Sequence, residues 1–132
     1  MARFLLDENL PARAADLLSA FEYPFVAVGP GIAELPRGTS DVEIANWCGA
    51  NGAVWVTLDL GILKDQAIVT AIAAAGTSVL LLPSKGVNAR DHLRFLVCRY
   101  EVIEQRVREA ERRGRPFRAR LQKRGSIQDI SI

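Results

Sequence analysis

The chain has one histidine and two cysteines among its 132 residues, too few and too scattered to form a metal-ligand motif. Cys48 and Cys98 are too few for a disulfide framework, which makes a reducing cytoplasm the expected compartment. With no cluster of His and Cys, any bound metal must be held by oxygen ligands. Long apolar runs are also missing. None approaches the ~20 residues of a membrane span. The charged pair Asp7-Glu8 interrupts the apolar run at the N-terminus, so no secretory signal is expected. Internal repeats and low-complexity tracts are lacking as well. What remains is an ordinary globular composition, 49% hydrophobic and 24% charged, at the length of one domain. Such a chain buries about 70% of its unfolded surface.

The net charge of +2 hides a lopsided distribution. Residues 1–88 carry five Lys/Arg against nine Asp/Glu, a balance of −4. Residues 89–132 carry twelve against six, a balance of +6. An acidic body beside a basic segment suits a metal-binding cleft next to a polyanion track. The competing explanation is a solvated arginine-rich helix laced with i,i+4 ion pairs.

The stretch Phe4-Leu5-Leu6-Asp7-Glu8-Asn9-Leu10-Pro11 is the most informative. Three apolar residues without polar alternation read as a strand buried on both faces, as in a parallel sheet. The strand ends on two acids, at the edge where open α/β sheets place ligands. Pro11 then suits the first turn of a helix, with Leu10, Ala14, Leu17, Leu18 and Phe21 at helical spacing to about residue 22. Phe25 to Val28 form a second short strand. Residues 29–39, with three glycines and two prolines, form a loop of the kind that is often functional or mobile.

Ser40-Asp41-Val42-Glu43 opens a second helix as a capping box, which ends near Asn51-Gly52. Ala53 to Leu58 form a third strand, again stopped by an acid, Asp59. A third helix spans about residues 64–75 and is closed by Gly76. Ser78 to Leu82 are a fourth strand, stopped by Pro83. Asn88 and Asp91 cap a long helix to Arg113, with an apolar seam of Leu93, Leu96, Val97, Tyr100, Ile103 or Glu104, and Val107. Tyr100, Ile103 and Val107 could pack on the sheet or on a second subunit, which leaves a homodimer open. Phe117 to Gln122 and Ser126 to Ile130 alternate in polarity and suggest a terminal β-hairpin; a disordered basic tail is the alternative.

The expected architecture is therefore one α/β domain over residues 1–132. Residues 1–88 would form its acidic body, and residues 89–132 a basic long helix and hairpin. The β-α-β-α-β-α-β-α order fits a doubly wound parallel sheet. A strand order of 2-1-3-4 would set Asp7 beside Asp59 at the switch point. Carboxylates that converge must protonate or bind a cation, and oxygen ligands favour Mg²⁺ or Mn²⁺. Such an ion can activate water and stabilise in-line displacement at phosphorus.

Asp7 and Asp59 are the expected metal ligands, with Glu43 as a third ligand or the holder of a metal-bound water. Each has another reading: Asp7 as a cap of the first helix, Glu43 as a capping-box partner, Asp59 as a turn residue. Asp65 reads first as the cap of the third helix. Glu8 is the weakest of the acids and could point away from the cleft. Arg90, Arg94, Arg112, Arg113, Arg118, Arg120, Lys123 and Arg124 are candidate phosphate contacts. His92 reads as a surface or capping residue rather than a catalyst. Lys85 resembles the strand-end lysine of receiver domains, but only one strand separates it from Asp59.

Leu5-Leu6-Asp7-Glu8-Asn9-Leu10-Pro11, Ser40-Asp41-Val42-Glu43-Ile44 and Val56-Thr57-Leu58-Asp59 together resemble the motifs of short prokaryotic PIN-like proteins. That group is related to the VapC-type toxin ribonucleases of toxin–antitoxin pairs. The resemblance runs through roughly residues 3–83 in order, and the basic end is similar to the group's closing hairpin. It implies a PIN-like three-layer fold and a Mg²⁺- or Mn²⁺-dependent endoribonuclease acting on RNA, with a small antitoxin protein as partner. Asp7, Glu43 and Asp59 match the group's acidic positions. Where many relatives read T-x-D-x-D-F, this chain has Gly61 and Ile62; Asp65, one helical turn on, is a candidate substitute for the missing acid, its first reading being the helix cap.

Overall fold

Continuous apolar runs set the architecture. In the computed structural model, which describes residues 3–29 and 31–132, Phe4, Leu5, Leu6, Trp55, Val56 and Val79–Leu82 are all fully buried. The elements are β1 (Arg3–Leu6), α1 (Ala12–Ala20), β2 (Phe25–Ala27), α2 (Asp41–Asn51), β3 (Ala53–Leu58), α3 (Gln66–Ala75), β4 (Ser78–Leu82), α4 (Ala89–Arg112), β5 (Arg118–Leu121) and β6 (Ile127–Asp129). A single turn of 3₁₀ helix, Ile62–Lys64, precedes α3. The strands form one six-stranded sheet in the order β2-β1-β3-β4-β5-β6. All neighbours are parallel except the closing β5–β6 hairpin. The switch of direction between β1 and β3 follows the expected 2-1-3-4 order.

Successive residues of a strand face opposite sides, which divides the core in two. Phe4, Leu6, Val54, Val56, Leu80 and Leu82 pack with Leu18 of α1 and Leu96, Tyr100 and Ile103 of α4. Leu5, Trp55, Val79 and Leu81 pack with Ile44 and Cys48 of α2 and Ile68 and Ile72 of α3. The result is a three-layer α/β/α molecule. The basic segment is not an appendage: α4 covers one face, and β5 and β6 extend the same sheet.

Several local signals are realised. Ser40 accepts from the Glu43 amide, Asp65 accepts from the amides of Ala67 and Ile68, and Asn88 and Asp91 form a reciprocal capping box. Others shift. Pro11 stands at the N-cap of α1 rather than inside its first turn, and α1 ends at Ala20. Phe21 therefore falls beyond the helix and is 75% exposed, while Leu17 lies off the buried stripe. Val97 is similarly exposed on α4, and these three help line an apolar groove of about 440 Å³ between the helices. Tyr100, Ile103 and Val107 pack on the sheet of their own chain, and the Tyr100 hydroxyl donates to Glu104.

The 29–39 loop is tied down among the described residues. Leu35 is buried, the Gly29 amide donates to the Leu35 carbonyl, and the Gly38 amide donates to the Glu8 carboxylate. Pro30, one of its two prolines, lies outside the described residues.

Gly49 of α2 sits where the helix meets the end of α3. A Cβ built there would lie 2.4 Å from the Ala75 carbonyl oxygen and 2.8 Å from its Cβ. The buried Thr77 hydroxyl, just after α3, adds a 2.6 Å bond to the Ala45 carbonyl. Gly49→Ala is expected to cost about 1–3 kcal/mol through overpacking against backbone, measured as a lower urea midpoint. An unchanged midpoint would mean that the two helices can part freely.

Candidate functional site

The C-terminal edge of the parallel strands collects Asp7, Glu8, Asp41, Glu43, Asp59 and Asp65. Asp7 follows β1 directly, and its amide donates to the Val56 carbonyl of β3. Its side chain is only 3% exposed. One carboxylate oxygen accepts from the Asn9 amide at 3.0 Å, and the other accepts from the Trp55 indole at 3.2 Å. Thr57 is a further hydrogen-bond partner. Strand alternation explains this company, because Trp55, Thr57 and Asp59 occupy one face of β3.

Burial raises the Asp7 carboxyl above its ordinary value. The hydrogen bonds from Thr57, Asn9 and Trp55 pull it back only in part, and the charge of Asp41 adds to the rise. Asp41 opens α2. Partial desolvation, then the charges of Asp65 and Glu8, push its carboxyl up as well. No lysine or arginine offsets either shift. The two helix N-termini that carry Asp41 and Asp65 supply only partial positive charge. Asp41 thus acts on Asp7, and Asp65 and Glu8 act on Asp41, along one acidic sheet edge, the crevice, with no lysine or arginine offsetting them.

The expected site residues divide. Asp7 lies at the centre, and Asp65 serves as a helix cap while acting electrostatically on Asp41. The Glu43 carboxylate accepts from the Ser40 hydroxyl at 3.0 Å, and Glu43 is not among the groups that act on Asp7 or Asp41. Asp59 is paired with Arg120, Oδ2 lying 2.6 Å from Nε. Gly61, at the position of the missing acid, has φ +83°, a conformation that disfavours any side chain.

Asp41 is the acid that the expectation missed, and the signal for it was present. Residues two apart on a helix leave it in different directions, and of the two it is Asp41 that acts on Asp7. His92 is buried and donates from Nε2 to the Pro83 carbonyl at 2.7 Å, anchoring α4 rather than standing on the surface. Cys48 is held as a neutral thiol, its pKa pushed up to about 12 by burial and by the charge of Asp7.

The basic candidates separate in the same way. Arg118 donates to the Thr77 and Ile72 carbonyls, and Arg120 is held by Asp59. Arg112 and Arg113 stand at the far end of α4, about 33 Å along the helix from Arg90. Arg113 there joins Arg106, Arg115 and Arg118 around a groove of about 540 Å³. Arg90 and Arg94 at the start of α4, and Lys123 and Arg124 on the β5–β6 turn, are exposed at the acidic edge. The Lys123 ammonium rests beside Gly86.

The donor chemistry of the crevice suits a hard divalent cation, being all oxygen and mutually repelling. Among the described residues no three His, Cys, Asp or Glu side chains are gathered around one point. Among the described residues no helix is long and apolar enough to cross a membrane. The chain matches no protein-family model, no curated protein and no solved structure.

A carboxyl raised by burial favours the folded state most when protonated. That contribution is complete below the ordinary value of 3.8 and is lost as pH rises through the folded value. Asparagine stays neutral throughout. Asp7→Asn should therefore melt above wild type at pH 7, with the difference shrinking towards pH 4. Equal melting temperatures at both pH values would show that burying the Asp7 charge is not costly.

Proposed function

We propose that the chain is a divalent-metal-dependent endoribonuclease, the toxin component of a toxin–antitoxin pair. One observation carries the reading. A buried carboxylate, Asp7, ends the strand at the switch point of a parallel sheet and faces further acids with no cation among them. Folds of this class place ligands at that edge, and the motif resemblance supplies the reaction class.

Asp7 and Asp41 would hold Mg²⁺ or Mn²⁺, with Asp65 behind Asp41. The ion would supply a polarised water and neutralise charge that develops at phosphorus. The protein's own part is orientation and exclusion. Trp55, Thr57 and the Asn9 amide fix the Asp7 carboxylate, and the buried strand ends beneath it keep bulk water from that side. Arg90, Arg94, Lys123 and Arg124 line the same edge and would hold an RNA backbone through its phosphates, without reading sequence.

A second reading has its own support. Gly61 replaces an acid, and Asp59 is already neutralised by Arg120. Those features favour a non-catalytic PIN-like module that binds RNA or a partner protein.

Cleavage of a labelled structured RNA in Mn²⁺, with an EDTA control, separates the two. Wild type should cut only with metal, and folded Asp7→Asn should lose at least about 100-fold in rate. Cutting by Asp7→Asn at the wild-type rate would remove the crevice from the chemistry. Salt-sensitive RNA binding without any cutting would favour the binding module.

A further inference from the structure

The geometry points to Arg120 as a phosphate-contacting residue of this site, with Asp59 as the residue that positions it. The inference rests on RNA as the ligand and adds a cationic subsite across the sheet edge from Asp41. Ala119 and Leu121 are fully buried on the α1/α4 face, which puts Arg120 on the same face as Trp55 and Asp7. Arg120 is level with Leu81 of β4. To meet Asp59 its side chain crosses β4 towards β3, and so towards the acidic crevice. Thr57, which bonds Asp7, and Asp59 are two residues apart on one face of β3, about 7 Å along the strand.

The form of the contact matters as much as its place. Asp59 takes Nε alone, at 2.6 Å. Arginine has five N–H donors in a rigid planar fork, so among the described residues both terminal nitrogens remain for another acceptor. That end-on pair matches two oxygens of a phosphate. Arg118, two residues earlier on the same face, makes a useful contrast. Its Nε and one terminal nitrogen are spent on the carbonyls of Thr77 and Ile72, at the end of α3. Arg118 anchors the strand, whereas Arg120 is aimed and left half-exposed, its side chain 33% accessible.

Half-exposed ion pairs add little to stability, so the effect of Asp59 on Arg120 is orientation. The charge of Asp59 in fact works against binding a polyanion. That opposition separates the two roles by sign. If Asp59 contributes only charge, Asp59→Asn should tighten RNA binding; if it aims Arg120, Asp59→Asn should weaken it.

The test is fluorescence anisotropy of the full chain with a labelled single-stranded RNA across a salt series. EDTA is present throughout, so binding is read apart from cleavage and the nuclease reading is judged separately by the Mn²⁺ assay. Arg120→Gln is expected to weaken binding about tenfold, the value of one charge-assisted contact. It should also flatten the salt slope by about 0.7, one phosphate on a single strand. Arg120→Lys, which keeps a cation and guards against misfolding as an explanation, should restore the slope but not the full affinity. Asp59→Asn should weaken binding, and should add no loss to Arg120→Gln in the double variant. An unchanged slope in folded Arg120→Gln would overturn the assignment. So would tighter binding by Asp59→Asn, or a wild type with no salt-sensitive RNA binding.

Discussion

The burial of one carboxylate organises the edge of this molecule. β1 is sealed on both faces, and the residue that ends it is Asp7, held by an indole, a backbone amide and a threonine hydroxyl. An acid in that position costs stability in proportion to how readily it ionises. Its hydrogen bonds offset part of the cost and fix its direction. The neighbouring acids deepen it, because Asp41 presses on Asp7 while Asp65 and Glu8 press on Asp41. A fold selected for stability alone would place an apolar or amide side chain there. A bound cation would relieve the tension, and the proposed chemistry follows from that relief.

Packing far from the crevice decides which acids take part. The close approach of Gly49 to Ala75, with the bond from Thr77 to Ala45, fixes how α2 and α3 lie on the sheet. Their N-termini then arrive at the same edge as the ends of β1 and β3, carrying Asp41 and Asp65. On the other face, α4 seals the core from Leu96 to Val107 and delivers Arg90 and Arg94 to that edge by its start. The sheet closes with β5 and β6. Arg120 thereby reaches Asp59, and Lys123 and Arg124 stand on the turn at that edge as part of the fold and not as a loose tail.

Much of this was legible in the sequence, because the signals are local. Apolar runs marked the strands, and Ser40, Asp65 and Asn88 marked helix starts through bonds to amides two or three residues on. The adjacency of β1 and β3 followed from connection rules. What was not legible depends on distance or on angle. Asp59 and Arg120 are 61 residues apart, and nothing local announces that one will neutralise the other. Leu17 and Val97 have the periodicity of buried residues, yet the helices meet the sheet along a narrower stripe. The motif points to Glu43 and gives Asp41 no role, whereas in the fold it is the charge of Asp41 that reaches Asp7.

The central claim is that the crevice closes on Asp7 and Asp41, not on Glu43. Calorimetric titration of Mn²⁺ into the wild type, Asp41→Asn and Glu43→Gln tests it most directly. The account predicts binding by the wild type, its loss in Asp41→Asn and its survival in Glu43→Gln. Loss in Glu43→Gln with retention in Asp41→Asn would contradict it, as would a folded wild type that takes up no metal.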